Sequence, residues 1–286
     1  MRPGYLLSLG EVPYLEAWDL QRSLAAAVSQ GALPDTVVML EHPPVVTLGR
    51  RSEEAELHIP EGADVEILET DRGGKSTFHG PGQLVCYPIL DLTRHGQDIK
   101  KYCRDLEDAL IRTISAFDLD ATRIEGLTGI WLEQSAVPGA SLGSGASGDS
   151  ASSTAPRAER SQRRERSAEP GFARREPAAS RGGGPPRKIA SIGVHISKWV
   201  TTHGYALNVD LDPAPFTEWI TACGLEDAAF TTLARELERS VAVDEVRPHA
   251  IAALEEVFGL ALEEMPADEH HRMGTQPLQA ELAGRA

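Results

Sequence analysis

The chain has 286 residues, a formal net charge of -15, 41% hydrophobic and 25% charged residues, a composition that supports a packed core in one large domain or two small ones. So acidic a balance excludes a general nucleic-acid binder, which needs a basic surface to neutralise phosphates. No apolar run approaches the roughly 20 residues that span a bilayer, and no leader pattern opens the chain, so no membrane association or secretory processing is expected.

The predicted elements alternate in type. A first helix carries Ala17, Leu20, Leu24 and Ala27/Val28 on one face and stops at Gly31. Strands follow at 36–40, 45–48, 65–70 and 83–90, and Pro88 predicts that the last of these lies at an edge or a bulge. A second helix, capped by Asp98, repeats Ile99, Cys103, Leu106, Leu110, Ile114 and Phe117 at three- and four-residue steps. Next come strand-like segments at 123–132, 188–196 and 199–209. A third helix, capped by Asp244, carries Val246, Ala250, Leu254 and Val257 and ends at Gly259. Strands grouped with helices predict an α+β fold, a mixed β-sheet with packed helices.

Residues 135–187 break this pattern. They hold nine arginines against five acidic residues and almost no large apolar side chains, so they read as a disordered low-complexity insert. The segments on either side, 123–132 and 188–196, then read as a β-hairpin with an expanded turn, which costs little because loop closure grows only logarithmically with length. The expected organisation is one catalytic domain over 1–262, interrupted at 135–187, with a polar, flexible tail at 263–286.

Chemistry concentrates in few places. Asp71 to Gln83 packs four glycines and a proline around Arg72, Thr77 and His79, a backbone shaped for tight turns and close approach of a ligand. It does not match the phosphate-binding GxxxxGK[ST] pattern, so a nucleotide loop is not expected. His203 precedes Gly204 in a stretch that reads, by itself, as a strand with a bulge. Lys188 opens an apolar strand in a chain that otherwise favours arginine, and a half-buried amine can both donate and accept a proton.

The three cysteines are spaced too widely for a zinc site or a disulfide framework, which predicts a reduced, cytoplasmic chain. Cys103, on its helix's apolar stripe, and Cys86, within a strand, read as core. Cys223, beside Gly224 at the end of a short helical run, reads as an accessible thiol and nucleophile.

Taken in order, EHPPVVTLGR at 41–50, RGG at 72–74 with HGPGQ at 79–83, KIASIG at 188–193, HGYALN at 203–208 and ACG at 222–224 resemble the lipoyl(octanoyl) transferase family. The resemblance covers about 6–259. It implies the biotin/lipoate protein ligase catalytic fold, a Cys223 acyl thioester and Lys188 as its acid/base partner. It further implies substrate-binding segments at Arg72, Gly73, Gly74, Lys75, Ser76, Thr77, Phe78 and His79, at Ser191, Ile192 and Gly193, and at Gly204, Tyr205 and Ala206, with His203 in support.

The implied reaction moves octanoyl from octanoyl-acyl carrier protein to a lysine on lipoyl domains of 2-oxoacid dehydrogenases or on the glycine cleavage H protein, with no ATP or metal cofactor. Arg50, Arg51, Arg72, Lys75, Lys100, Lys101 and Arg104 form the expected basic face for an acidic carrier. The insert before Lys188 and Ala222, where many relatives carry proline, depart from the family pattern.

Overall fold

The computed structural model describes residues 1–133, 185–221 and 229–266. Its main sheet is mixed, in the order β12 (Leu260–Glu264), β1 (Arg2–Glu11), β2 (Asp35–Glu41), β6 (Gln83–Ile89), β10 (Val200–Asn208), β9 (Arg187–Ser197), β8 (Ile130–Leu132) and β7 (Ala121–Thr122). Strand β11 (Ala229–Phe230) lies parallel to the start of β9. A smaller sheet sets β3 (Val45–Leu48) between β4 (Glu66–Glu69) and β5 (Thr77–His79).

Apart from the short α3 (Pro215–Glu218) and α4 (Leu233–Leu237), the helices of the described residues cover opposite faces of the main sheet. Helix α1 (Tyr14–Ser29) buries Ala17, Leu20, Leu24 and Val28 against Val38, Leu40, Val85 and Tyr87. Helix α2 (Ile99–Ser115) buries Leu106, Leu110 and Ile114 on the other face. There it packs with α5 (Val243–Phe258), whose Val246, Ala250 and Leu254 join the same cluster. Fully burying each such aliphatic side chain contributes about 1.5–3 kcal/mol. Asp98 caps α2 as expected, accepting from the Lys101 N–H, and Gly259 ends α5 in the left-handed region at φ +65°. Asp244 lies one residue inside α5, whose cap is Ala242. No helix of the described residues is long and apolar enough to cross a membrane.

The structure alters several expectations. Strand β1 hides in the sequence because both its neighbours are parallel strands, so it is buried without a clean alternation. Strand β6 is central, paired with β2 and β10, so Pro88 does not mark an edge. Instead the β6–β10 ladder opens there: the pairing stops at Cys86–Tyr205 and resumes at Asp91–Val200, which puts Pro88 opposite His203 at φ +56°. A proline has no N–H to give the ladder, and the Thr201 hydroxyl of β10 instead donates to Pro88 O at 2.6 Å.

At the chain's far end, β12 runs to Glu264 and Met265 is buried, its N–H bonded to Leu6 O at 2.9 Å, so the ordered domain passes beyond 262.

The hairpin across the insert is present. Strands β8 and β9 pair with Leu132 opposite Arg187, and Arg187 is a strand residue whose guanidinium meets Glu236 at 2.8 and 2.9 Å. Residues 134–184 lie outside the described residues. Because Leu132 and Arg187 are direct partners, a chain in which 134–184 are replaced by a two- to four-residue hairpin turn should fold to the same structure. Its melting temperature should stay within about 4 °C of the parent in thermal denaturation.

Candidate active site

One cavity of about 370 Å³ opens between the glycine-rich 72–79 loop and strands β9 and β10, at the small end of the range for ligand pockets. Of the sequence-predicted residues, Arg72, Gly73, Gly74, Lys75, Ser76, Thr77, His79, Lys188, Ser191, Ile192, Gly193, His203, Gly204, Tyr205 and Ala206 line it. Phe78 does not. It sits between Thr77 and His79 on β5, so strand alternation turns it to the opposite side, where its ring meets Phe216 and Trp219 edge-on. Residue 223 lies outside the described residues, along with the rest of 222–228.

The loop is held by its own arginine. Arg72 is 6% exposed, and its guanidinium donates to Thr47 O at 2.7 Å, Thr47 Oγ1 at 2.8 and 3.1 Å, Lys75 O at 2.8 Å and Gly73 O at 3.2 Å. Its donors therefore wrap the loop around the side chain. Gly73 N–H then ties the loop to Val194 O of β9 at 2.9 Å. Close approach leaves no room for side chains on the facing strands. A Cβ on Gly193 would lie 2.9 Å from Gly73 O, and one on Gly204 would lie 2.1 Å from Cys86 O. Two members of the expected basic face change role: Arg72 is buried inside the loop, and Lys75 is paired with Glu56 and Glu53.

Polar side chains cluster under the loop. His203 Nε2 meets Asp71 Oδ1 at 2.7 Å, its Nδ1 faces the Tyr14 hydroxyl at 3.3 Å, and its backbone N–H donates to Gln21 Oε1 at 2.6 Å. His79 Nδ1 meets Gln83 Oε1 at 2.7 Å, while His42 contacts Val12 O and the Tyr87 hydroxyl, each at 2.6 Å. Burial lowers the pKa of all three histidines, that of His42 to about 4. The His203 hydrogen bond instead holds the Asp71 carboxyl low. The two shifts pull against each other as an ion pair would see it. They are consistent with a neutral imidazole donating from Nε2 to an ionised carboxylate, which leaves Nδ1 to accept from Tyr14.

Lys188, the second residue of β9, is 2% exposed on the cavity wall beside Trp131. Sequence reasoning missed Tyr14, Tyr87, Leu127, Thr128 and Trp131, which also line the cavity. Only Trp131 carried a signal, a large aromatic on the strand facing Lys188. Cys103, expected in the core, is partly exposed and lines the cavity wall. Cys86 is buried as expected.

The model of the lipoyl protein ligase A/B catalytic domain matches residues 13–255. An octanoyltransferase of Streptomyces coelicolor is 43% identical over 249 residues, 86% of this chain and 89% of the relative. One of Mycobacterium leprae is 41% identical over 239 residues (84% and 81%), and one of Chloroflexus aurantiacus is 36% identical over 260 residues (88% and 92%). Among solved structures, a lipoate-protein ligase A bound with ATP superposes with a TM-score of 0.60 at 14% identity, covering 99% of this chain and 95% of that one. A lipoate protein ligase of T. acidophilum with bound lipoic acid gives 0.58 at 14%, covering 95% and 92%. These structures share the fold.

Two measurements test the site's construction. The buried histidines are neutral in the folded protein but bind protons below about pH 6.5 when unfolded, so stability should be full above that pH and fall as the pH drops towards 4. His42 alone should contribute roughly 3 kcal/mol to that loss, and His42→Asn should flatten the slope of melting temperature against pH. Arg72→Lys, which cannot reach four acceptors with one ammonium, should lower unfolding free energy by about 3 kcal/mol in urea denaturation.

Proposed function

The chain belongs to the lipoyl protein ligase A/B catalytic domain family and is an octanoyltransferase of protein lipoylation, and from that premise we propose that it carries octanoyl as a thioester on Cys223. The donor is octanoyl-acyl carrier protein. The acceptor is a lysine on the lipoyl domain of a 2-oxoacid dehydrogenase or on the glycine cleavage H protein. The reaction belongs in the cytoplasm, where thiols stay reduced.

The observation that carries this reading is Lys188, a lysine buried in the wall of a cavity that Gly73, Gly74, Gly193 and Gly204 also line. In the first step the Cys223 thiolate attacks the carrier's thioester carbonyl. Lys188 takes the cysteine proton and returns it to the departing pantetheine thiolate. One thioester replaces another, so the exchange is near balance and needs no ATP or metal. In the second step the acceptor amine attacks, an amide forms, and the Cys223 thiolate leaves and is reprotonated. About seven carbons of the chain enter the slot, and at roughly 0.8 kcal/mol each their burial contributes about 5–6 kcal/mol. The glycine-rich 72–79 loop and the Ser191–Gly193 and Gly204–Ala206 stretches form its walls.

Incubation with octanoyl-acyl carrier protein in the absence of ATP should give one octanoyl adduct by intact mass, mapped to Cys223, which a lipoyl domain then discharges. Cys223→Ser should form no such thioester and lose about 1,000-fold or more in transfer. A Cys223→Ser protein that still transfers octanoate when given ATP would mark an adenylating ligase instead.

A further inference from the structure

We propose that Trp131 is a positioning residue for Lys188: its indole face, with Gly129 beneath, forms the socket that places the lysine amine on the cavity wall. The inference rests on the reading of Lys188 as the acid/base group.

The register of the hairpin is the first observation. Ile130 pairs with Ala190, but Trp131 pairs with Lys188, so Ile189 is an extra residue in β9. Continued without that slip, the ladder would set Trp131 against Ile189 and turn Lys188 to the opposite face. The bulge therefore brings lysine and tryptophan onto one face as direct cross-strand partners, and bulges characteristically re-aim a side chain in this way.

The second is the contact itself. Lys188 Nζ lies 5.4 Å from the centre of the Trp131 ring, within the roughly 6 Å over which a ring's negative face attracts an ammonium. Both side chains are buried, at 2% exposure each, where that attraction is least screened. The third is Gly129, at φ +115°: a Cβ there would come within 2.7 Å of Lys188 Cε and 3.2 Å of Nζ. The lysine's tip occupies the space a side chain would take.

The main chain on either side is pinned independently. Arg187 is clamped by Glu236, and Lys188 O accepts from the Thr231 N–H at 3.0 Å. Among the described contacts, the ring and the glycine bear on the amine itself. The Trp131 indole N–H is buried with no hydrogen-bond partner among the described residues, so face and N–H are separable in a test.

The test installs tryptophans of increasing fluorination at position 131 of the full chain. It follows acyl loading from octanoyl-acyl carrier protein in a single turnover by intact mass. Fluorine drains the ring's negative face without changing its shape, so the logarithm of the loading rate should fall linearly with fluorine number, by about tenfold across the series. Trp131→Phe, which keeps a face, should load within about threefold of the parent. Trp131→Leu should load about 30-fold more slowly, with the carrier KM changed less than twofold.

A flat fluorination series overturns the proposal, as does Trp131→Phe being as slow as Trp131→Leu, which would assign the effect to the N–H. If Trp131→Leu does not fold, the fluorinated series decides alone. Lys188→Met is measured in parallel. Loading at the parental rate in that variant refutes the acid/base reading itself and the socket with it, whereas a slow Lys188→Met beside a flat series refutes only the socket.

Discussion

The guanidinium of Arg72 organises everything around the cavity. A short run of glycines has no side chains with which to hold a shape, and left to itself would sample many conformations at high entropic cost. Arg72 solves this from inside: planar and always charged, it reaches Thr47 on β3 and two carbonyls of its own loop at once, a set no point-like ammonium can satisfy. The loop's shape then depends on one buried side chain, and the bond from Gly73 to Val194 ties it to β9. Gly193, whose Cβ would meet Gly73 O, follows from that closeness, whereas Gly204 answers to Cys86 O of β6.

Much of this was legible in the amino-acid sequence, for reasons that differ by element. Helix α2 stood out because a polar and an apolar face alternate with helical period and Asp98 is a strong cap. The hairpin across the insert was legible because its apolar strands survive intact on both sides of a stretch that cannot build a core. Strand β1 was not, since a strand flanked by parallel neighbours loses the alternation that betrays half-buried strands. Pro88 shows the limit of a one-body rule. It does break a ladder, but in the sheet's interior, where His203 takes a left-handed conformation opposite it.

The site divides along similar lines. Residues gathered in motifs, such as the 72–79 loop and the strand opening at Lys188, were found from local composition. Tyr14 and Tyr87 come from a helix and a strand that look like ordinary core, and only tertiary packing turns them towards the cavity. Phe78 fails in the opposite sense: inside the motif by position, it is outside the cavity by the two-residue period of a strand. Arg72 lines the cavity, but it does not lie on the exposed basic face expected of it, because nothing local reveals that its guanidinium is buried against the Thr47 hydroxyl and three main-chain carbonyls.

The junction between β8 and β9 has a consequence for how this protein accommodates extra chain. The strand re-enters the sheet at Arg187, one residue before the lysine at the cavity wall, yet that residue is gripped through two parallel bonds by Glu236, which Thr231 also contacts. Tugging on the polypeptide upstream is thus grounded at this fork before it can reach the next residue. The arrangement works as a strain relief on a cable, and it makes the tip of this hairpin a natural socket for grafting a reporter or a tether without disturbing the chemistry beside it.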